Sequence, residues 1–405
     1  MIITSRSLVV AVLLTVACDR DKVVPPNRPA ENIVVLGEGT APERYTSELS
    51  VRGNYAYTST WSTRNGVRGN AVKIWNVSAN VPVLVDSLIV PSVNSATPTS
   101  TTGDIQVTDD GTLLVVATER FGGSIVIYSL TDPAHPALVS QFHSADTDPG
   151  VHTAEIARVG GTLYGFLSID PSSNPAIPAK LVVVDLSTPS APVQLLARVM
   201  GNPFVHDVFV RDSLLFTALW DDGISIWDIG GSRGGTPANP VFISNVVTTG
   251  GEAHNIWWFH DPTTGSKRYV FVGQEGPATL FNFSSGDVHV VDIADITHPI
   301  EVASYSVAGA GTHNFSLDEA SGVLYAAYYN GGVRALDVRG DLSQCAAAER
   351  FADNRCNLSK TAREIGHALG DGGKFIWGVQ YVGNRLYASD MVGALWKLDI
   401  SALKR

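Results

Sequence analysis

The sequence predicts an all-β fold, a seven-bladed β-propeller. Three observations lead to this prediction. A short apolar segment that ends in an acidic or polar residue recurs seven times, and internal repeats of this kind are typical of propellers. Turn and hairpin signals flank the copies. The 38 glycines and 21 prolines are scattered along 405 residues, which fits many short strands and tight turns.

Composition and charge limit the class of protein. A content of 44% hydrophobic and 17% charged residues is ordinary for a globular protein and excludes a disordered or collagen-like chain. The formal net charge is −11. A nucleic-acid partner is therefore not expected, because phosphate binding needs a cationic surface.

The N-terminal segment has the pattern of an export signal. Arg6 is the only charged residue before an apolar segment at positions 8–17. Such a segment suits the apolar core of a signal peptide, whereas a transmembrane helix needs about 20 residues. Residues 1–17 are therefore predicted to be a signal peptide, and the mature protein is expected to be exported.

The next residue predicts a lipid anchor. Residues 14–18 (Leu-Thr-Val-Ala-Cys) resemble a bacterial lipobox, although Thr15 stands where that motif usually has leucine. Cleavage after Ala17 would leave Cys18 to carry the lipid, and residues 18–31 would form a polar, proline-containing tether. The alternatives are ordinary signal-peptidase cleavage and an incidental cysteine. The prediction is a membrane-anchored lipoprotein, periplasmic or on the cell surface.

The repeated segment predicts a strand, a turn and a second strand. In three copies a proline lies seven residues after the final polar residue, and an apolar stretch comes next. An Asp side chain can accept a hydrogen bond from the backbone two residues on, and proline presets the turn. The seven copies are 72–76, 125–129, 181–185, 224–228, 288–292, 333–337 and 395–399.

Each repeat also has a strand pair upstream, so it contains the four antiparallel strands of one blade. Gly53-Asn54 and Gly383-Asn384 are hairpin-turn dipeptides between apolar arms. A lone four-stranded sheet would expose two apolar faces, whereas radial packing buries both. The last copy lacks a fourth strand, which residues 32–38 are predicted to supply. Residues 32–401 would then form one closed domain.

The repeat resembles that of the LVIVD-repeat β-propeller proteins, which are exported and often lipidated bacterial proteins. The matching residues are 181–185 (Leu-Val-Val-Val-Asp), 288–292 (Val-His-Val-Val-Asp) and the turns that follow them. The resemblance covers roughly residues 31–401. It implies a fold, but it implies no particular activity.

A non-β insert interrupts the sixth blade at about residues 340–374. Cys345 and Cys356 lie close together within it, and in an exported protein such a pair predicts a disulfide. Closing so short a loop stabilises by about 3 kcal/mol in the chain-entropy account. A metal pair is the alternative, although the sequence has no fourth cysteine and Cys18 belongs to the predicted anchor.

The same insert predicts a short amphipathic helix at residues 359–369. Ala362, Ile365 and Leu369 fall at helical spacing there. The insert is expected to decorate the surface of the blade. A lid or a partner contact is the other interpretation.

One position per blade, counted back from the hairpin, is named here the ring position. Four of the ten histidines occupy it in consecutive blades. It opens the innermost strand, so its side chains are expected near one mouth of the central channel, with Asp104 on the same rim. The ring positions are Ser47, Gly103, His152, His206, His254, His313 and Trp377.

The four ring histidines allow three interpretations. Each imidazole could bond to a carbonyl of the neighbouring blade as a latch. The histidines, Asp104 and Trp377 could bind a ligand or an anion at the channel mouth. His152, His206, His254 and His313 could also hold a transition metal, since imidazole suits zinc, copper, iron or nickel.

The sequence predicts a non-enzymatic binding or scaffold lipoprotein of the bacterial cell envelope. It is expected to be a monomer whose channel mouth contacts an envelope protein or a small ligand. No residue is predicted to be catalytic. The alternative is a metal-dependent enzyme with a four-histidine site on the propeller axis.

Overall fold

The computed structural model describes residues 32–94, 96, 98–170, 177–201, 204–369 and 373–403. The predicted signal peptide, Cys18 and the tether up to residue 31 lie outside these residues. None of the described helices is long and apolar enough to cross a bilayer.

The described chain forms seven blades of four antiparallel strands, and a short fifth strand joins the sheet of blade 5, so the predicted β-propeller is confirmed. The innermost strands are Tyr45–Arg52, Thr101–Val107, Thr153–Val159, Asp207–Arg211, Ala253–Trp258, Phe315–Asp318 and Ile376–Val382. The second strands are Tyr55–Trp61, Leu113–Glu119, Thr162–Ile169, Leu214–Ala218, Tyr269–Gln274, Val323–Ala327 and Arg385–Asp390.

The seven repeated segments are the third strands of the blades. These strands are Ala71–Asn76, Ser124–Ser129, Ala179–Asp185, Ile224–Asp228, Val288–Asp292, Val333–Asp337 and Ala394–Asp399. The outer strands are Val83–Ile89, Ala137–Phe142, Val193–Gly201, Val241–Val246, Ile300–Tyr305, Glu364–Ala368 and, for blade 7, Val34–Thr40. A small hairpin, Thr63–Arg64 and Val67–Arg68, projects from blade 1.

The core lies between neighbouring blades. Third strands are apolar on both faces because a blade is covered on each side: Ile125, Val126 and Ile127 are all fully buried. Outer strands lie at the periphery, where Val83 and Val193 are more than half exposed.

The predicted turn chemistry is present in every blade. The residue that ends each third strand accepts a hydrogen bond from the backbone N–H two residues on, as at Asp185, where the distance from Ser187 N is 2.7 Å. The residues that accept these bonds are Asn76, Ser129, Asp185, Asp228, Asp292, Asp337 and Asp399.

The ring is closed by the N-terminal strand, as predicted. Val34–Thr40 pairs antiparallel with Ala394–Asp399, so the first and last strands lie in one sheet. The strand begins two residues later than the sequence indicated. Ile33, just before it, is 3% exposed and packs into the cluster between blades 6 and 7.

The predicted helix at residues 359–369 is wrong. A 3₁₀ turn at Leu358–Lys360 precedes the strand Glu364–Ala368, which is the outer strand of blade 6 and pairs with Val333–Leu336. Without it blade 6 would have only three strands and an open edge, so sheet pairing outweighs the helical spacing. The insert therefore ends before Glu364.

The predicted disulfide joins Cys345 to Cys356, with the Cα atoms 6.0 Å apart. Cys356–Asn357 pairs in parallel with the outer strand of blade 5, Ile300–Tyr305. Two further 3₁₀ turns lie at Ala347–Glu349 and Ser401–Leu403. The insert thus packs on the rim of the ring, beside blade 5.

Candidate functional site

The innermost strands of all seven blades line a cavity of about 410 Å³ on the propeller axis, called here the axial cavity. All seven ring positions line it, Trp377 among them, and so does Asp104. The repeat alignment made from sequence therefore identifies residues that meet in one space.

The backbone explains why the ring histidines point inward. In blades 3, 4 and 6 the histidine N–H donates to the second strand just before regular pairing begins, for example from His152 to Ser168 O at 2.9 Å. In blade 5 the pairing register shifts between Ala253 and Asn255, so that His254 lies at a bulge. Bulges of this kind redirect a side chain beside a functional site.

The four histidines are in contact with one another and form the histidine cluster. The ring centroids of consecutive members are 4.3, 4.1 and 4.1 Å apart. Nε2 of His152 lies 3.1 Å from Nε2 of His206. The side chains of His206, His254 and His313 are less than one-tenth exposed.

Three carboxylates at the ends of second strands reach the histidine cluster, and sequence reasoning missed them. Glu119 Oε1 is 3.1 Å from His152 Nδ1. Glu275 Oε2 is 3.5 Å from Nε2 of His254 and 3.7 Å from Nε2 of His206. Asp170 also lies beside His152 and His206.

A sequence signal for these carboxylates exists. Glu119, Asp170 and Glu275 each lie where the second strand of their blade ends, in blades 2, 3 and 5. A fixed offset from the histidines along the chain does not reveal these residues, because the second strands bring them to the cluster. Aligning the ends of the second strands would have found all three.

Aromatic residues occupy the same strand-end position in other blades. Trp220 stacks on His206, with ring centroids 5.3 Å apart, and the hydroxyl of Tyr329 donates to Oε1 of Glu275. Both residues have positive φ, +57° and +41°. Bulky residues rarely adopt this conformation, and such strain is concentrated at functional sites.

The electrostatics leave one histidine charged and three neutral. Burial opposes the charge on His152, but the hydrogen bond to Glu119 and the nearby carboxylates raise its pKa to about 10. Burial lowers the pKa of His206 and of His254 well below the usual value, and the charge on His152 adds to the effect. Burial also lowers the pKa of His313 to about 3.

The axial cavity is acidic. Five carboxylates line it, and its described lining includes neither lysine nor arginine. Burial and the neighbouring Asp104 raise the pKa of Glu48 to about 8 and that of Asp207 to about 7. The five are Glu48, Asp104, Glu119, Glu155 and Asp207. Where these carboxyls are ionised, they would disfavour an anion, one of the ligands that the sequence allowed.

The predicted latch is made by one of the four histidines. His313 Nδ1 donates to Trp377 O of the next blade at 2.8 Å. Elsewhere the residue after the ring position joins the blades, as where Thr153 Oγ1 donates to His206 O at 3.1 Å. Neither ring nitrogen of His254 has a hydrogen-bond partner, although both are buried.

Two groups of described side chains have the spacing of metal ligands. Their ligand atoms lie within 4.8 Å of one another, and neither group includes His313. The groups are His152, Asp170 and His206, and His206, His254 and Glu275. The second group combines two neutral imidazoles with a carboxylate, the donors that zinc and iron accept in proteins.

Comparisons with known proteins agree with the fold. The LVIVD repeat matches residues 43–63, 173–199 and 283–307. The crystal structure of Saccharomyces cerevisiae Sqt1 is similar, with a TM-score of 0.54 and 12% identity over 91% of this chain and 85% of that one. No curated protein matches the sequence. The chain is thus a seven-bladed β-propeller protein that contains LVIVD repeats.

Proposed function

We propose that this protein is a non-enzymatic binding propeller of the bacterial cell envelope, anchored by a lipid on Cys18, and that its axial cavity binds small cations. The acidic lining of the cavity carries this proposal. The lipobox-like sequence before Cys18 supports the location.

The cavity lining explains the preference for positive charge. Buried carboxylates are costly to ionise, and the charged His152 offsets only part of this cost, so the pKa values of Glu48 and Asp207 are raised. A bound cation would favour the ionised carboxylates and compensate their charge. Phe209 and Trp257 line the same cavity beside Glu155, and aromatic faces attract organic ammonium groups.

A thermal-shift titration tests cation binding. Full-length protein in a chelating buffer is titrated with putrescine or spermidine, and sodium chloride of equal ionic strength serves as the reference. A ligand at 100 times its Kd stabilises by about 2.7 kcal/mol, so the Tm should rise by several degrees and keep rising with the logarithm of the amine concentration.

Neutral variants locate the binding site. Asp207→Asn should abolish the shift, whereas Asp132→Asn, which removes an exposed carboxylate outside the cavity, should retain it. If neither amine raises the Tm above the salt reference, or if Asp207→Asn responds like the parent protein, the cavity is not an organic-cation site.

A further inference from the structure

We infer that His206, His254 and Glu275 form a binding site for one divalent transition metal ion, of which Zn²⁺ is the representative. This inference rests on the proposed function, because it names a cation for the histidine cluster that borders the axial cavity. It differs from the four-histidine site considered from sequence, since Glu275 replaces His313, and the contact between Nε2 of His152 and Nε2 of His206 would give way to the ion.

The distances suit a metal. Zinc bonds of about 2.0–2.1 Å in a tetrahedron place neighbouring ligand atoms about 3.3–3.4 Å apart. Glu275 Oε2 lies 3.5 Å from His254 Nε2 and 3.7 Å from His206 Nε2. The two observed distances are therefore only a few tenths of an ångström longer than the distance between neighbouring zinc ligands.

The unpartnered nitrogens indicate a missing ligand. The side chain of His254 is 3% exposed, and neither Nδ1 nor Nε2 has a hydrogen-bond partner. A buried polar group left without a partner costs about 1–3 kcal/mol. Since Nε2 of His254 faces a carboxylate oxygen beyond hydrogen-bond geometry, a cation between them would satisfy both.

The surrounding residues orient the ligands as they do in known metal sites. Tyr329 donates its hydroxyl to Oε1 of Glu275, which leaves Oε2 for the ion. Stacking on Trp220 fixes the ring of His206. Outer partners of this kind hold metal ligands in position. The positive φ of Tyr329 and Trp220 would be the conformational cost of that arrangement.

The donor set favours a transition metal over calcium or magnesium. Two imidazoles and one carboxylate suit Zn²⁺, Fe²⁺ and similar ions, whereas Ca²⁺ and Mg²⁺ prefer sites made of oxygen atoms. Three protein ligands would leave a coordination position open, as in catalytic zinc sites. The enzyme alternative therefore depends on this ion being present.

Metal binding to the full-length protein tests the inference. Protein stripped with a chelator is dialysed against Zn²⁺, and metal content is measured by mass spectrometry; Co²⁺ is added separately to record the absorption of its ligand field. We expect about one Zn²⁺ per chain and no comparable uptake of Ca²⁺ or Mg²⁺.

Variants locate the ion. His254→Ala and Glu275→Gln should each weaken Zn²⁺ binding at least about 10-fold. Tyr329→Phe should weaken Zn²⁺ binding by no more than these two variants do. His260→Ala, which removes a histidine two residues beyond the far end of the same innermost strand, should bind Zn²⁺ like the parent. Circular dichroism of each variant checks that the ring is folded.

Two outcomes would overturn the inference: no stoichiometric Zn²⁺ uptake, or uptake that His254→Ala and Glu275→Gln leave unchanged. The amine titration in chelating buffer separates this result from the proposed function. Loss of Zn²⁺ binding with intact amine binding removes only the metal site. Zn²⁺ binding without an amine shift removes only the organic-cation site.

Discussion

At the scale of residues, the ring positions adjoin two different sets of carboxylates. The histidine cluster borders carboxylates at the ends of the second strands, whereas Glu48, Asp104 and Asp207 follow their ring positions into the cavity. Burial with little positive charge nearby makes ionisation of these acids costly. Stability should therefore depend on pH through the cavity.

Glu48→Gln tests this dependence. The pKa of Glu48 is raised from 4.5 to about 8 by burial and by Asp104. Between these values the folded state holds a proton that the unfolded state has lost, so the free energy of unfolding falls as pH rises from about 4.5 to about 8. The variant should show a smaller decline, since Asp104, Glu155 and Asp207 still contribute, and its Tm at pH 8 should exceed that of the parent by about 2–4 °C.

Thermal unfolding at pH 5 and pH 8 measures the difference. Glu43→Gln is the control, because Lys73 lowers the pKa of Glu43 against the effect of burial and its loss should add no decline in this range. Parallel profiles for the parent and Glu48→Gln would contradict the assignment of the decline to this carboxyl.

At the scale of elements, the closing strand is anchored by a buried side chain that directly precedes it. Ile33 packs with Trp396 and Leu398, which are fully buried between blades 6 and 7. Removal of a buried isoleucine leaves a cavity that the surroundings fill only in part. The ring should therefore be sensitive at this one side chain.

Ile33→Ala should lower the free energy of unfolding by about 3 kcal/mol. Val34→Ala is the matched control: Val34 is the next residue and is 54% exposed, so its loss should cost no more than about 0.5 kcal/mol. Urea denaturation measures both. Equal midpoints for the two variants would mean that the strand does not secure the ring.

The elements also show what the sequence could and could not predict. All seven third strands and their turns were predictable, because apolar runs and Asx turns are local signals. The strand Glu364–Ala368 was mistaken for a helix since its identity comes from the open edge of blade 6. Glu275 was missed for a related reason: its neighbours come from other strands.

At the scale of the whole molecule, cyclic repetition gathers one residue from each blade at one place. Each ring side chain alone is an ordinary residue at the start of a strand. Seven of them around an axis enclose a cavity of about 410 Å³. The ligand site is thus a property of the closed ring, and no single blade contains it.

The membrane location of the protein remains a prediction, and the variant Cys18→Ala tests it. If Cys18 carries a lipid, the variant should leave the membrane fraction and appear in the soluble fraction. Thr15→Leu restores the residue usual in a lipobox and should stay with the membrane. Fractionation followed by immunoblotting measures both, and retention of Cys18→Ala after a high-salt wash would refute anchoring at this residue.

The closing strand also sets the order of events during biosynthesis. Of the described strands, Val34–Thr40 emerges from the ribosome first, whereas its hydrogen-bonding partner, Ala394–Asp399, emerges last. Until then blade 7 lacks its third strand, its outer strand has no partner, and the ring has an open seam. Nearly the whole chain must therefore be delivered before the fold can close, and a nascent chain stopped early would keep a strand edge free for other polypeptides.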